Sequence, residues 1–548
     1  MVVPELRAWR AARPHVVRIA RSVRPQLVRA AEAVKPPLAR AAEAVKPPLT
    51  RAAEVVKPLV KRPSTVQFTT GAATLGLVVA ATVVTAAGPW DSSGQRTAER
   101  DWAASRERAG GADHGHVSGT SGKAPAPAPS AASVLTRLGG SAGSGQSPKS
   151  AADKSPALTE KALTRVLGPL LDDPALGSGR TGAVVDLATG KRLYGKGADD
   201  ALTPASTTKI ATAVAALTAA GADHRIATRA VLEPGTEEVV LVGGGDPTLT
   251  ARKDADGNAS LRSLADDTAR ALRSRKSGEV TLSYDTSLYA GSAVHPIGAN
   301  TNLAPVSALM ADEGRLDDSS SGPADRSTDP AADAARAFAD LLHDRGIKTT
   351  TPGTSKATGR AKTLATVQSP PLSALVERML TSSDNDIAEA LARQTALVSG
   401  EPASFEGGAA AIREQLRKLG LPLKGTRFAD GSGLDRADKL TADLLTALLA
   451  EAADPDRPEL RPVLTGLPVA GFTGTLSHRY AGRPGTGVVR AKTGTLTGVH
   501  TLAGTVVDTD GRLLAFAFLT SSNPPTDPTT TQQALDRLAS TLASCGCN

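Results

Sequence analysis

The sequence predicts an α/β (α+β) fold: an antiparallel sheet with helices on its faces, carrying an inserted, smaller β-containing domain. Three observations lead there. A helical pattern (LTEKALTRVLGPLL) runs into a hairpin (TGAVVDLATGKRLY) turned at Thr189-Gly190. Two apolar strands, VHTLAGTVVD and RLLAFAFLTSS, joined by Thr509-Asp510-Gly511, lead to a final helix at about 529–542. Between these ends lie helical runs, interrupted by strand-like segments around VVLVGGG and EVTLSYD. Strands at both ends with helices between them pack most simply as one helix-covered sheet.

At 548 residues the chain is long enough for several units. Hydrophobic residues at 40% and charged residues at 22% are ordinary globular usage, which excludes wholesale disorder and a polytopic membrane protein. Cys545 and Cys547, one residue apart near the C-terminus, provide neither a disulfide scaffold nor a paired-ligand zinc site.

Residues 1–64 form a basic tail with an 11-residue repeat, in which Arg7, Arg18, Arg29, Arg40 and Arg51 recur in step. Each is followed six residues later by a basic-Pro pair, from Arg13-Pro14 to Lys57-Pro58, so any helix is broken within each unit. This tail holds 14 Lys/Arg against 4 Glu, whereas the rest of the chain has 49 basic and 51 acidic residues. The overall charge of +8 therefore belongs to the tail, and nucleic-acid binding by the slightly acidic body is excluded. The tail reads either as a polybasic face against anionic lipid or as a low-complexity segment that fixes topology.

Residues 65–88 read as a transmembrane anchor contacting membrane lipid, because Phe68 to Gly88 is 21 residues without a charge. Lys61 and Arg62 before it and Asp91 after it place the N-terminus in the cytoplasm and the body outside. A signal peptide cleaved near Thr85-Ala86-Ala87 would export the same body. Residues 89–157, rich in Gly, Ser, Ala and Pro, read as a linker. Gly139 to Gly143 matches G-x-S-x-G there, but with no strand before it or helix after it the pattern lacks its mechanical context. His114 and His116 in the same linker read as solvated residues.

The candidate chemistry lies beyond this linker. Ser206-Thr207-Thr208-Lys209 is the only S-x-x-K in the chain and opens the helical run IATAVAALTAA. A three-residue spacing puts Ser206 and Lys209 on one helix face, where an amine of lowered pKa can take a hydroxyl proton. Alone, the same residues read as a helix start with an exposed lysine. Ser383-Asp384-Asn385 sits between PLSALVERMLTSS and DIAEALARQ. It reads as an ordinary helix cap, or as a hydroxyl and an amide offered to a peptide backbone. Lys492, Thr493, Gly494 and Thr495 open a strand whose cation, hydroxyls and glycine suit an extended substrate ending in a carboxylate. Lys276-Ser277-Gly278 and Ser521-Ser522-Asn523 mimic single elements, but only Ser206, Ser383 and Lys492 come in the order S-x-x-K, S-D-N, K-T-G.

With that ordered triple, residues 158–542 resemble the penicillin-recognising serine acyl-transferases. The resemblance is closest to the class C low-molecular-mass penicillin-binding proteins, the D-alanyl-D-alanine carboxypeptidase/endopeptidase family. Gly244-Gly245-Asp246-Pro247-Thr248-Leu249, SPPLSALVERML and Asp430-Gly431-Ser432-Gly433-Leu434 look like its secondary signatures. The resemblance implies a β-lactamase/transpeptidase-like peptidase domain at 158–229 and 363–548, with an inserted domain at 230–362 in the 177-residue interval between Ser206 and Ser383. A further nested domain expected near Ala304-Pro305 is missing or vestigial in GRLDDSSSGPADRST, and His500 stands where the family has a smaller residue.

The mechanism implied by the resemblance is acylation followed by hydrolysis, without metal or cofactor. Ser206 attacks the carbonyl between two D-alanines, Lys209 takes its proton and Ser383 passes a proton to the leaving amine. Asn385 holds the peptide, Lys492, Thr493, Gly494 and Thr495 receive the terminal carboxylate, and the N–H groups of Ser206 and Thr495 form the oxyanion hole. Expected partners are peptidoglycan stem peptides ending in D-Ala-D-Ala, and β-lactams. The alternatives are a β-lactamase, for which no E-x-x-x-N-type deacylation element follows Ser383, and a slow membrane-tethered β-lactam or cell-wall sensor.

Overall fold

A computed structural model describes residues 159–546. The basic repeat, the 65–88 span, the linker and Cys547 lie outside the described residues, within which no helix is long and apolar enough to cross a membrane.

Helix α1 (Glu160–Leu171) is capped by Thr159, whose hydroxyl accepts from the Ala162 amide, and leads to β1 (Gly179–Asp186) and β2 (Arg192–Lys196). A one-turn 3₁₀ segment, Ala205–Thr207, opens α2 (Thr208–Ala220). There follow β3 (Ala227–Leu232), β4 (Glu238–Val242), α3 (Leu261–Ser274), β5 (Glu279–Asp285), α4 (Pro330–His343) and the two-residue strands β6 (Lys348–Thr349) and β7 (Gly353–Thr354). After β8 (Lys362–Gln368) come helices α5 (Leu372–Ser382), α6 (Asn385–Ser399), α7 (Phe405–Lys418) and α8 (Ala442–Ala453). The chain returns through β9 (Val489–Leu496), β10 (Val499–Val507) and β11 (Leu513–Ser521) to α9 (Pro528–Ser544).

The first and last strands build one antiparallel sheet in the order β2-β1-β11-β10-β9. Its two faces are read from the two-residue side-chain period. In β11, Leu514, Phe516 and Phe518 pack with Leu163 and Leu167 of α1 and Leu535 and Leu538 of α9. Ala515, Ala517 and Leu519 pack on the other face with Ile210 and Val214 of α2 and with α5, α6 and α8. This is the predicted helix-covered antiparallel sheet, and β9 is its edge.

A second sheet has the order β6-β5-β4-β3-β8, with β7 also paired to β5. It is mixed: β3 runs antiparallel to β4 and β8, whereas β5 is parallel to β4, β6 and β7. Helices α3 and α4 cover it through Leu264, Leu272, Phe338 and Leu342. The expected boundaries at 230 and 362 fall inside β3 and β8, because both connecting segments are themselves strands of this sheet. No nested domain stands near Ala304. The run from Gly314 to Thr328 is a short turn closed by a bridge between Arg315 and Arg326.

Candidate active site

The cleft, about 480 Å³, opens between the β9 edge, the α2 start, the α5–α6 junction and the 302–326 segment between β5 and α4. Ser206, Ser383, Asn385, Thr493 and Thr495 line it, joined by Asn302, Arg326, Thr475 and Arg479.

Ser206 sits in the 3₁₀ turn just before α2, preceded by Ala205 in a left-handed conformation (φ 48°). A non-glycine residue there carries strain of about 1–3 kcal/mol and persists only where its surroundings enforce it. The K-T-G strand is one such surrounding. A Cβ on Gly494 would lie 2.1 Å from Thr501 Oγ1, 2.6 Å from the Pro204 carbonyl and 3.1 Å from Ala205 Cβ. The glycine thus admits the Ser206 turn against β9, where the sequence suggests close approach of a substrate. Gly433, at positive φ, admits the same turn from the Asp430 loop: a Cβ there would meet the Ala205 carbonyl at 2.0 Å.

One helical turn on, Lys209 is fully buried, with Nζ 3.0 Å from Ser206 Oγ, 2.6 Å from Asn385 Oδ1 and 2.7 Å from the Ser432 carbonyl. Burial lowers its pKa to about 8, opposed by the carboxylates of Asp430, Glu389, Asp384 and Asp438. At that value roughly a tenth of the amine is neutral at pH 7, against roughly one part in three thousand for an ordinary lysine.

The S-D-N tripeptide occupies the α5–α6 junction, each residue with its own backbone task. Ser383 closes α5 in a left-handed conformation (φ 59°), Asp384 caps α6 by accepting from the Ile387 amide at 3.0 Å, and Asn385 begins that helix. The cap is therefore Asp384, which leaves the Ser383 hydroxyl and the Asn385 amide facing the cleft. Asn385 also donates to the Asn302 carbonyl at 2.9 Å.

Lys492 is as buried as Lys209, but its Nζ is engaged by Ser383 Oγ at 2.8 Å and by the Thr493 carbonyl at 2.9 Å. Burial, and then the charge of Lys209, push its pKa well below the usual lysine value. Thr493 Oγ1 donates to Thr475 Oγ1 at 2.9 Å. The Ala491 amide bonds outward to the Pro468 carbonyl at 3.0 Å, away from β10. By the two-residue alternation of an antiparallel edge strand, the amides of Thr493 and Thr495 also point outward, toward the cleft.

Two neighbourhoods to which the sequence reading gave no part in the site hold these groups in place. Asp430 Oδ1 accepts from the amides of Ser432 and Gly433, and Oδ2 accepts from the Asp435 amide and lies 3.0 Å from His295 Nε2. Glu389 accepts from the amides of Gly431 and Ser432 and pairs with Arg393. His295, Glu389 and Asp430 lie close enough together for a metal ion, yet their oxygens are already committed to N–H donors. Together they fix the Ser432 carbonyl that receives Lys209. Arg326, from the segment between β5 and α4, pairs with Asp386 at 2.8 Å beside the S-D-N junction. His500 shares a face of β10 with Leu502, toward α1 and α9 rather than α2, and does not line the cleft. Lys276-Ser277-Gly278 forms a turn between α3 and β5, remote from these groups.

Residues 163–321 and 318–542 match the model of the D-Ala-D-Ala carboxypeptidase 3 (S13) family. The chain belongs to that family. It is accordingly a D-Ala-D-Ala carboxypeptidase, and the family match takes in every residue of the cleft described above. It is 38% identical over 409 residues to carboxypeptidase DacB of Mycolicibacterium smegmatis, covering 72% of this chain and 86% of that protein. It is 35% identical to carboxypeptidase Rv3627c of Mycobacterium tuberculosis, covering 79% of this chain and 92% of that one. Among solved structures, penicillin binding protein 4 of Haemophilus influenzae shares the fold with a TM-score of 0.58 at 22% identity, covering 70% of this chain and 99% of that one.

Proposed function

We propose that this carboxypeptidase cleaves peptidoglycan stem peptides ending in D-Ala-D-Ala through an acyl-enzyme on Ser206, and that β-lactams acylate the same oxygen. The observation that carries this reading is the buried Lys209 amine 3.0 Å from Ser206 Oγ. Ser206 attacks the penultimate carbonyl as its proton passes to Lys209, and the developing oxyanion is met by the amides of Ser206 and Thr495. As the C–N bond breaks, Ser383 gives its proton to the departing amine and is reprotonated at the expense of the Lys209 ammonium, which returns that lysine to its neutral form. Water then attacks the ester, Lys209 takes the water's proton, and Ser206 leaves with a proton returned from Lys209. Asn385 holds the acyl peptide's amide.

The charge-free 65–88 stretch, flanked by Lys61 and Arg62, supports a membrane-anchored protein with this body outside the cytoplasm, where such a substrate lies. The test is intact-mass analysis of the full chain after benzylpenicillin. A single adduct, absent in Ser206→Ala, is expected; an adduct that persists in the variant contradicts the assignment.

A further inference from the structure

The leaving-group end of the cleft contains a cation that this mechanism does not use. Lys492 serves poorly as a carboxylate receptor, since its hydrogen bonds to Ser383 and Thr493 are internal and burial disfavours its charge. Arg479, in the loop after the 3₁₀ turn Gly474–Leu476, is placed differently. Its guanidinium lies side-on to Asp536 of α9, with Nε 3.2 Å and Nη2 2.6 Å from the two carboxylate oxygens, and Nη2 also reaches the Gln532 carbonyl at 3.4 Å. These bonds occupy Nε and Nη2, and Nη1 makes no hydrogen bond among the described residues. The side chain is 17% exposed and lines the cleft with Thr475, Thr493, Thr495 and Gln532.

We propose that Arg479 binds the carboxylate of the departing amino acid, presenting Nη1 beside Thr493 and Thr495, and thereby restricts leaving amines to those that carry a carboxylate on the same carbon. This rests on the acyl-transfer reading above. A guanidinium keeps its charge at every working pH, and a side-on carboxylate fixes its plane, so the remaining nitrogen is a preoriented donor. Asp536 cancels much of the net charge, so selection comes from a directed hydrogen bond rather than from a bare field. Any leaving α-amino acid satisfies this requirement, whereas an amidated terminus does not.

The test compares two substrates on the full chain: an acyl-D-Ala-D-Ala peptide with a free C-terminus and its C-terminal amide, following release of D-alanine and D-alaninamide. The wild type is expected to prefer the acid. Arg479→Gln is expected to lower kcat/KM for the acid by roughly tenfold or more, as for a lost hydrogen bond to a charged group, and to leave the amide unchanged. Because that variant strands buried Asp536, Arg479→Gln/Asp536→Asn is measured beside it, with the same loss of preference expected. Asp536→Asn alone retains the guanidinium and is expected to keep most of the preference. Equal losses on acid and amide would mark Arg479 as merely structural, and an unchanged preference would show that it does not meet the carboxylate; either result overturns the proposal. If wild type turns over neither substrate, the underlying acyl-transfer reading fails and this proposal falls with it.

Discussion

The helical and strand sides of the cleft each bury a lysine completely, yet they treat the two amines in opposite ways. Around Lys209 the helical side gathers Asp430, Glu389, Asp384 and Asp438, whose charges partly offset desolvation and hold the pKa at about 8. Around Lys492 the strand side offers only a hydroxyl and a carbonyl, so nothing offsets desolvation, the charge of Lys209 adds to it, and the pKa falls well below the usual lysine value. Burial alone therefore does not make a general base. A ring of carboxylates keeps one amine titratable near neutrality, while in its absence the charge of the other, beside Ser383, is strongly disfavoured.

Removing the titratable amine is expected to have the largest effect. Lys209→Met should slow acylation by benzylpenicillin by about 10²–10⁴-fold, the range of a general base, as followed by intact mass over time. A loss below tenfold would mean that another group takes the Ser206 proton.

The next largest effect is on stability and probes the close approach of the two sides. In Gly494→Ala the new Cβ meets Thr501 Oγ1 and the Pro204 carbonyl, which belong to rigid elements. Overpacking of this kind costs about 1–3 kcal/mol. A lower thermal midpoint is expected together with slowed acylation, and an unchanged midpoint would show that β9 does not press against the Ser206 turn.

The carboxylate ring sharpens the comparison further. Burial works to raise the pKa of Asp430, but hydrogen bonds from His295, Asp438 and the loop amides outweigh it and keep the group ionised. Asp438 is raised well above the usual value, by burial and then by Asp430. Lys209 acts as a base only when neutral, so acylation should rise with pH and level off above about 8. Asp430→Asn removes a negative charge that favours the ammonium, which should move this rise to lower pH. Asp438→Asn replaces a group whose charge burial and Asp430 already disfavour, and should shift the profile less. Equal shifts in both variants would contradict the assigned charges.

Legibility follows the range of the interactions. The helix–hairpin opening, the closing hairpin with its helix, and the spacing of Ser206 and Lys209 depend on neighbours within about a turn or a strand, and the sequence predicts them. The order of the three motifs, through the family resemblance it carries, also implies that Ser206, Ser383 and Lys492 share one site. Contacts across the chain are not legible in this way. Nothing local tells that Gly494 faces Pro204 rather than a substrate, that Lys492 is enclosed by Ser383, or that His295 reaches Asp430 from 135 residues away. The run around Arg326 reads as the vestige of a lost domain, yet it walls the cleft beside the S-D-N junction. Arg479 stands out in the sequence only as a lone arginine after a Gly- and Thr-rich loop, since Asp536, which orients it, lies 57 residues further along the chain.

The most direct test of the central claim is release of D-alanine from a pentapeptide ending in D-Ala-D-Ala, measured across pH 6 to 10 with the full chain and with Ser206→Ala. The account expects catalytic release that climbs toward a plateau above about pH 8 and vanishes in the variant. Release that is flat across this range, or that survives the loss of Ser206, would contradict a buried Lys209 acting as base for that serine.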